Sequence, residues 1–254
     1  MPSFHAAFIK MNSDPQAAVL MFDHALALAR KYGNADMQAY ALSGQGMAFS
    51  RLGRAAEARA VEQAALDLVH ATRSPVTESD VELFTAWVFL DLEEPLSSLA
   101  HGQRSVQCSI ATDNFDCICG GLACVGFGHM QAGQLPQAIG AFQEAIEHTK
   151  TSGAVLFRVM AEGGLALAQM ASGQPGALAD LKQAAARAAE LNDHFTEAQF
   201  NHAVAQAYLT QGDLPAARAY LDKALAYYQA NSLTPYLARA LATQATLAQQ
   251  EAAR

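Results

Sequence analysis

Positive charge, long apolar runs and paired cysteines are all scarce in this chain. Only 16 of its 254 residues are Lys or Arg, against 24 Asp or Glu, which leaves a formal net charge of −8. A nucleic-acid binder needs a basic face, and no run of Lys or Arg here is dense enough to make a patch. No stretch reaches the roughly 18 uninterrupted apolar residues that a membrane span requires. The opening segment MPSFHAAFIK lacks the basic start and apolar stretch of a signal peptide. Four cysteines without such a leader predict reduced thiols in a cytosol. Strand-favouring runs of Val, Ile and Thr are nearly absent, which predicts an all-α chain.

What the chain does have is alanine and repetition. Alanine makes up about a fifth of the residues, well above ordinary usage, and it both favours helix and lets helices approach closely. A segment reading GQLPQAIGAFQEAI from Gly133 returns as GDLPAARAYLDKAL from Gly212. Weaker copies are GRAAEARAVEQAAL from Gly53, GQPGALADLKQAAA from Gly173 and DPQAAVLMFDHALA from Asp14. The period is about 40 residues, and a fixed period of that size is the mark of stacked structural units.

Turn chemistry keeps the same beat. Gly33-Asn34, Ser74-Pro75, Asp113-Asn114, Ser152-Gly153, Asn192-Asp193 and Asn231-Ser232 form one series of breaks. Asn12-Ser13, Gly53, Glu93 to Pro95, Gly133, Gly173 and Gly212 form a second, midway between them. Each unit is therefore predicted to be two helices of about 16 to 18 residues joined by tight turns. Pro15, Pro95, Pro136, Pro175 and Pro215 fall in the opening turn of second helices, and Pro75 and Pro235 open first helices, where a missing N–H costs nothing. Asp14 and Asp213 are placed to cap helix starts.

Small residues recur at helical intervals. Gly46, Ala58 and Ala65 are repeated as Gly126, Ala138 and Ala145, and again as Ala205, Ala217 and Ala224, with Tyr208, Phe142 and Leu221 supplying bulk between them. This Gly/Ala spacing resembles the tetratricopeptide (TPR) signature. Two features depart from it: the unit exceeds the usual period of about 34 residues, and the Pro that closes the second helix is missing. The longer unit resembles the repeat regions of bacterial signalling ATPases, maltose-regulator-like transcription activators and some peptide-sensing regulators. The segment LTPYLARALATQATLAQQ from Leu233 looks like the last helix of such arrays. The resemblance implies one TPR-like domain over residues 1–254, a right-handed α-solenoid of about six helix pairs plus a C-terminal closing helix. The unit from Pro75 to Ala111 is degenerate, with Ala86 or Trp87 where the glycine belongs. Met1 to Lys10 supplies only half of a first helix, so the chain is expected to be a fragment of a longer protein, to have a misplaced start, or to pair its N-terminal end with something else.

Residues that could carry chemistry do not converge. Cys108, Cys117, Cys119 and Cys124, with His129 nearby, lack the two-residue separation of zinc pairs and read as helix-packing thiols. The eight histidines make no HExxH motif. His70 and His148 lie near helix ends, where an imidazole suits the dipole. Gly120-Gly121 and Gly163-Gly164 belong to no phosphate loop, and read as close packing or a bend, or as room for a ligand backbone. Asp and Glu read mainly as solvated surface charge. No catalytic residue, metal or cofactor is predicted.

The groove is the functional lead. In arrays of this kind the first helices line the concave surface, and inward positions lie three before, one after and four after the small residue. Those offsets and their extensions select Tyr40, Met47, Phe127, Met130, Met160, Leu167, Met170, Gln199, His202 and Gln206 as a partner-binding face, apolar in the middle and polar at one end. Methionine suits surfaces that accept varied apolar partners. The expected function is a non-enzymatic protein- or peptide-binding scaffold in a cytoplasmic bacterial regulator, with further domains on a longer chain. The alternative is a small-molecule sensor with a pocket near Gly163, Phe127 and His202. Against both stands a tight superhelix whose inner side chains merely fill it.

Overall fold

A computed structural model describes residues 10–253. A helical stretch at residues 10–13 precedes twelve helices among them. In chain order these are α1 (Pro15–Lys31), α2 (Ala35–Arg51), α3 (Ala55–Thr72), α4 (Pro75–Asp91), α5 (Pro95–Ala111), α6 (Phe115–Gln131), α7 (Leu135–Ser152), α8 (Val155–Ala171), α9 (Ala177–Glu190), α10 (His194–Gln211), α11 (Leu214–Ala230) and α12 (Thr234–Ala252). The chain is a right-handed α-solenoid. Five pairs are complete, from α2/α3 to α10/α11; α1 is the second helix of an earlier pair and α12 closes the array. The half-helix expected at the N-terminus falls largely in residues 1–9, outside the described residues.

The stops are local. A residue with left-handed backbone recurs about every twenty positions, at Gly33, Gly53, Arg73, Glu93, Asp113, Gly133, Gly153, Gly173, Asn192, Gly212 and Ser232. The residue after most of them returns its N–H to a carbonyl five positions back, as Asn34 does to Ala29 at 2.9 Å and Gln134 to His129 at 2.8 Å. That closure satisfies helix-end carbonyls that would otherwise lack donors. Helix starts are capped by Asp14, Asn34, Asn114, Asp193 and Asp213, whose side chains accept the N–H three residues on. Prolines sit in the first turns of α1, α4, α5, α7, α11 and α12. Pro175 does not follow this rule. Gly176 comes next with φ 88°, so the helix is delayed to Ala177 and α9 is only 14 residues long.

The small residues do the packing assigned to them. Ala58, Ala65, Ala138, Ala145, Ala205 and Ala224 are fully buried. Ala86, 40 positions from both Gly46 and Gly126, is also fully buried, so it occupies the small-residue slot of the degenerate unit and Trp87 stands beside it, partly buried. Several glycines in the first helices are seats for aromatic rings. A Cβ on Gly126 or Gly164 would lie 2.5 or 2.4 Å from the ring of Phe142, and one on Gly163 would lie 2.1 Å from Phe200. Phe142 thus fills the space between α6 and α8, and removing such a ring typically costs about 3–5 kcal/mol.

One side chain breaks the pattern. The slot four residues after the buried alanine holds Phe22, Phe142, Leu181 and Leu221, but in α3 it holds Glu62, itself 1% exposed. Its Oε2 accepts from Ser43 at 3.1 Å and Thr85 at 2.8 Å, while Oε1 is without a partner over Gly46. Burial pushes this carboxyl up to about 8, despite the two hydroxyls, and nearby Glu82 pushes the same way. The expectation that acidic residues are mainly solvated fails here and at Glu82, which is also buried.

The first helices form a closed ring. α2, α4, α6, α8, α10 and α12 contact one another in succession, and α12 returns to α2. The seam is polar. Asp91 at the end of α4 accepts from Ser50 at 2.8 Å, from Arg51 Nε at 3.0 Å and from the Tyr236 hydroxyl. The Arg51 guanidinium also lies 3.8 Å from the centre of the Phe195 ring. Tyr227 donates to the carbonyl of Asn12 at 3.0 Å, 215 residues away. No helix among the described residues is long and apolar enough to cross a membrane.

Candidate ligand-binding concavity

Inside the ring are two adjoining hollows. The larger, about 640 Å³, lies between α10, α11 and α12. His202, Gln206 and Gln199 of α10 face Arg239, Thr243 and Thr246 of α12, and Tyr228 and Tyr236 close one side. The smaller, about 280 Å³, has Phe127, Met130 and Leu90 as its apolar side, with Asp91 and Gln131 beside them. Gln199, Tyr236 and Arg239 line both.

The polar groups are held in fixed states. His202 Nε2 lies 2.9 Å from Thr243 Oγ1, and Gln206 Nε2 reaches the same oxygen at 3.4 Å. Burial, and then the charge of Arg239, pushes His202 down to about 4, so its imidazole is neutral at physiological pH. Burial raises Tyr228 and Tyr236, and Asp91 raises Tyr236 further, so both remain phenols that can donate. Arg239 is held from two sides, with its guanidinium 4.5 Å from the Tyr236 ring centre and Nη1 3.2 Å from Glu93. On the apolar side, Phe127 packs edge-on to Phe142, with centroids 4.9 Å apart, and lies 6.0 Å from Trp87. Amide and hydroxyl donors and acceptors therefore face an aromatic and thioether surface, with one guanidinium between them. Such a surface can bind a ligand with both backbone-like amides and an apolar side chain.

Of the ten residues selected from the repeat, the structure brings five together around these hollows: Phe127, Met130, Gln199, His202 and Gln206. Leu167 and Met170 are half-buried against the core between α8, α9 and α10. Met160 is half-buried and lines neither hollow. Tyr40 lines neither; its hydroxyl is bound to Asp80 of α4, and burial and that carboxylate raise it further. Met47 is not a groove residue: it is buried with Met11, Val19, Phe22 and Val88. An inward offset gives an open surface only where no neighbouring element covers it, and here Met11 and Val88 of α4 cover Met47.

The groove selection leaves out Tyr236, Arg239 and Thr243, because their segment resembles a closing helix beyond the last repeat. The signal was present. Arg239 stands 40 positions after Gln199 and continues the row of Tyr40, Met160 and Gln199. The same offsets extended to α12 select Ala242 and Thr246, which line the larger hollow. The cysteines are all buried thiols: Cys117 lies 2.5 Å from Asp80, Cys124 3.4 Å from Ser98 and Cys119 3.6 Å from Ser152.

This architecture is that of TPR-like helical repeat proteins. No family model matches the sequence, and no curated protein matches it. Solved structures do. A Rap protein in complex with competence and sporulation factor superposes with a TM-score of 0.68 at 14% identity, over 98% of this chain and 75% of that one. Aspartyl phosphate phosphatase F from Bacillus subtilis gives 0.68 at 14% identity, over 98% and 69%. The TPR-like repeats of a Podosopora anserina putative kinesin light chain give 0.52 at 18% identity, over 74% and 92%. At these identities the likeness is one of fold.

Proposed function

We propose that the chain is a non-catalytic, peptide- or protein-binding regulatory scaffold of a bacterial cytoplasmic signalling system. A short polypeptide segment would lie across the two hollows. The carrying observation is their continuity through Gln199, Tyr236 and Arg239, with carboxamides on one side and Phe127 and Met130 on the other. The carboxamides match a ligand backbone, and burial against Phe127 and Met130 supplies the driving force. The Rap protein holding competence and sporulation factor supports this reading by likeness of fold.

Trp87 is the only tryptophan, and its contact with Phe127 makes it a reporter of the smaller hollow. A phage-displayed library of short peptides, panned on the protein, should enrich sequences that change Trp87 fluorescence. Their affinity should fall about tenfold or more on Gln206→Ala or Phe127→Ala, as loss of a contact worth about 1.4 kcal/mol requires. Selected peptides indifferent to both substitutions would sink the proposal. A second reading, a small-molecule sensor, is favoured by the larger hollow, whose volume lies in the range of about 300–1,000 Å³ found for such sites. A metabolite that raises the melting temperature of the wild type, but not of Gln206→Trp, would select it.

A further inference from the structure

A second cluster lies away from the hollows, on helices α3, α4 and α5. His70 is near the end of α3, Glu78 and Glu82 are one turn apart on α4, and His101 is on α5. One ligand atom from each of His70, Glu78 and Glu82 lies within 4.8 Å of the other two. From these residues we infer a binding site for a divalent transition-metal ion of the zinc class, independent of the peptide-binding proposal.

The geometry separates coordinating from supporting groups. His101 Nδ1 is 2.6 Å from Oε2 of Glu82, which leaves Oε1 turned towards His70 Nε2 at 4.0 Å. That gap is too wide for a hydrogen bond. It admits an ion at the usual distances of about 2.0–2.2 Å from imidazole nitrogen and carboxylate oxygen, after a small turn of the His70 ring. His70 can turn, because its side chain is 59% exposed, whereas that of Glu82 is only 5% exposed. Glu78 is the third ligand. Arg104 grips it through Oε1 alone, with Nε at 3.0 Å and Nη2 at 2.6 Å. His101 is a positioning residue: its ring stacks on Phe89 with centroids 5.3 Å apart and planes 7° from parallel, so it aims one nitrogen at Glu82.

Charge balance and ligand type agree. Two carboxylates and neutral imidazole suit a borderline divalent ion, and three protein ligands leave an open position on the side of exposed His70. Arg104 offsets one of the two negative charges, so an ion enters a site of net charge near −1. Binding ties the end of α3 to α4. Glu82 is also a charged neighbour of the buried Glu62 carboxyl.

The test uses tag-free full-length protein, zinc chloride and isothermal titration at neutral pH, with cobalt(II) as a visible-absorption probe. One ion per chain should bind and raise the melting temperature. His70→Ala, which alters an exposed side chain, and Glu82→Gln should each weaken binding about tenfold or more, and His101→Ala about tenfold through loss of orientation. Cys119→Ser, whose thiol lies against Ser152 away from the cluster, should change nothing. Circular dichroism checks each variant's fold, and His70→Ala keeps the test decisive if Glu82→Gln does not fold. The inference is overturned by absence of binding at millimolar zinc, by stoichiometric binding that survives His70→Ala, or by binding lost on Cys119→Ser.

Discussion

Replacing Glu62 by Gln should flatten the pH dependence of stability between pH 5 and 8. Glu62 occupies a slot that in four other second helices holds Phe or Leu, and burial raises its carboxyl to about 8 from an ordinary value near 4.5. Across that window the folded protein keeps a proton that the unfolded chain has released. Its contribution is therefore complete below about pH 4.5 and is lost as pH rises through 8. At about 1.4 kcal/mol per pH unit, the loss between pH 5 and 8 is about 4 kcal/mol, or roughly 10 °C in Tm for a chain of this size. Gln keeps an acceptor for Ser43 and Thr85 and carries no titratable proton. Urea unfolding followed by circular dichroism at pH 5, 6, 7 and 8 would measure the difference between wild type and Glu62→Gln, in which other titrating groups cancel. The two should be similar at pH 5, with the variant the more stable at pH 8. Parallel curves would refute the reasoning, as would a wild type that gains on the variant as pH rises.

Four further substitutions probe the packing. Gly126→Ala forces the Phe142 ring aside and should cost about 1–3 kcal/mol, whereas Gly140→Ala in α7, with nothing within 4 Å, should gain about 0.5–1 kcal/mol; thermal melts of the pair should shift in opposite directions. Asp91→Asn leaves the Arg51 charge buried without its carboxylate, since both side chains are about 6–7% exposed; it should cost about 3 kcal/mol and speed hydrogen exchange in α12, because the Tyr236 contact weakens with it. Arg73→Gly relieves a non-glycine residue at φ 54° and should raise stability by about 0.5–1 kcal/mol, read as a higher urea midpoint at an unchanged slope.

Much of this molecule is legible along the chain. The repeat, the turn residues and the Gly/Ala spacing predict the helices, and the same spacing predicts which alanines are buried. Five of the ten residues selected for the groove line the hollows. Met47 does not, because inward offsets say nothing of what covers an inward side chain. Arg239 is legible as the next member of the Gln199 row, but its segment resembles a closing helix outside the repeats. Glu62 was legible as the odd member of a Phe/Leu slot, yet a lone Glu in an alanine-rich helix resembles any solvated charge until the slots are aligned.

Helix breaks depend on a residue's own backbone preferences and nearest neighbours, and close helix crossing depends on small side chains at fixed intervals; both are local, so the sequence by itself determined the α-solenoid and its 40-residue period. The closure of the ring is different in kind. Asp91 and Tyr236 meet across a separation of 145 residues, and that meeting depends on the summed rotation of every repeat between them. A small rotation per unit, repeated around the superhelix, decides whether α12 reaches α2 and α4 or stands clear of them. Only the tertiary structure decided that it reaches, and with it which polar side chains face one another across the hollows and which acids lie out of water.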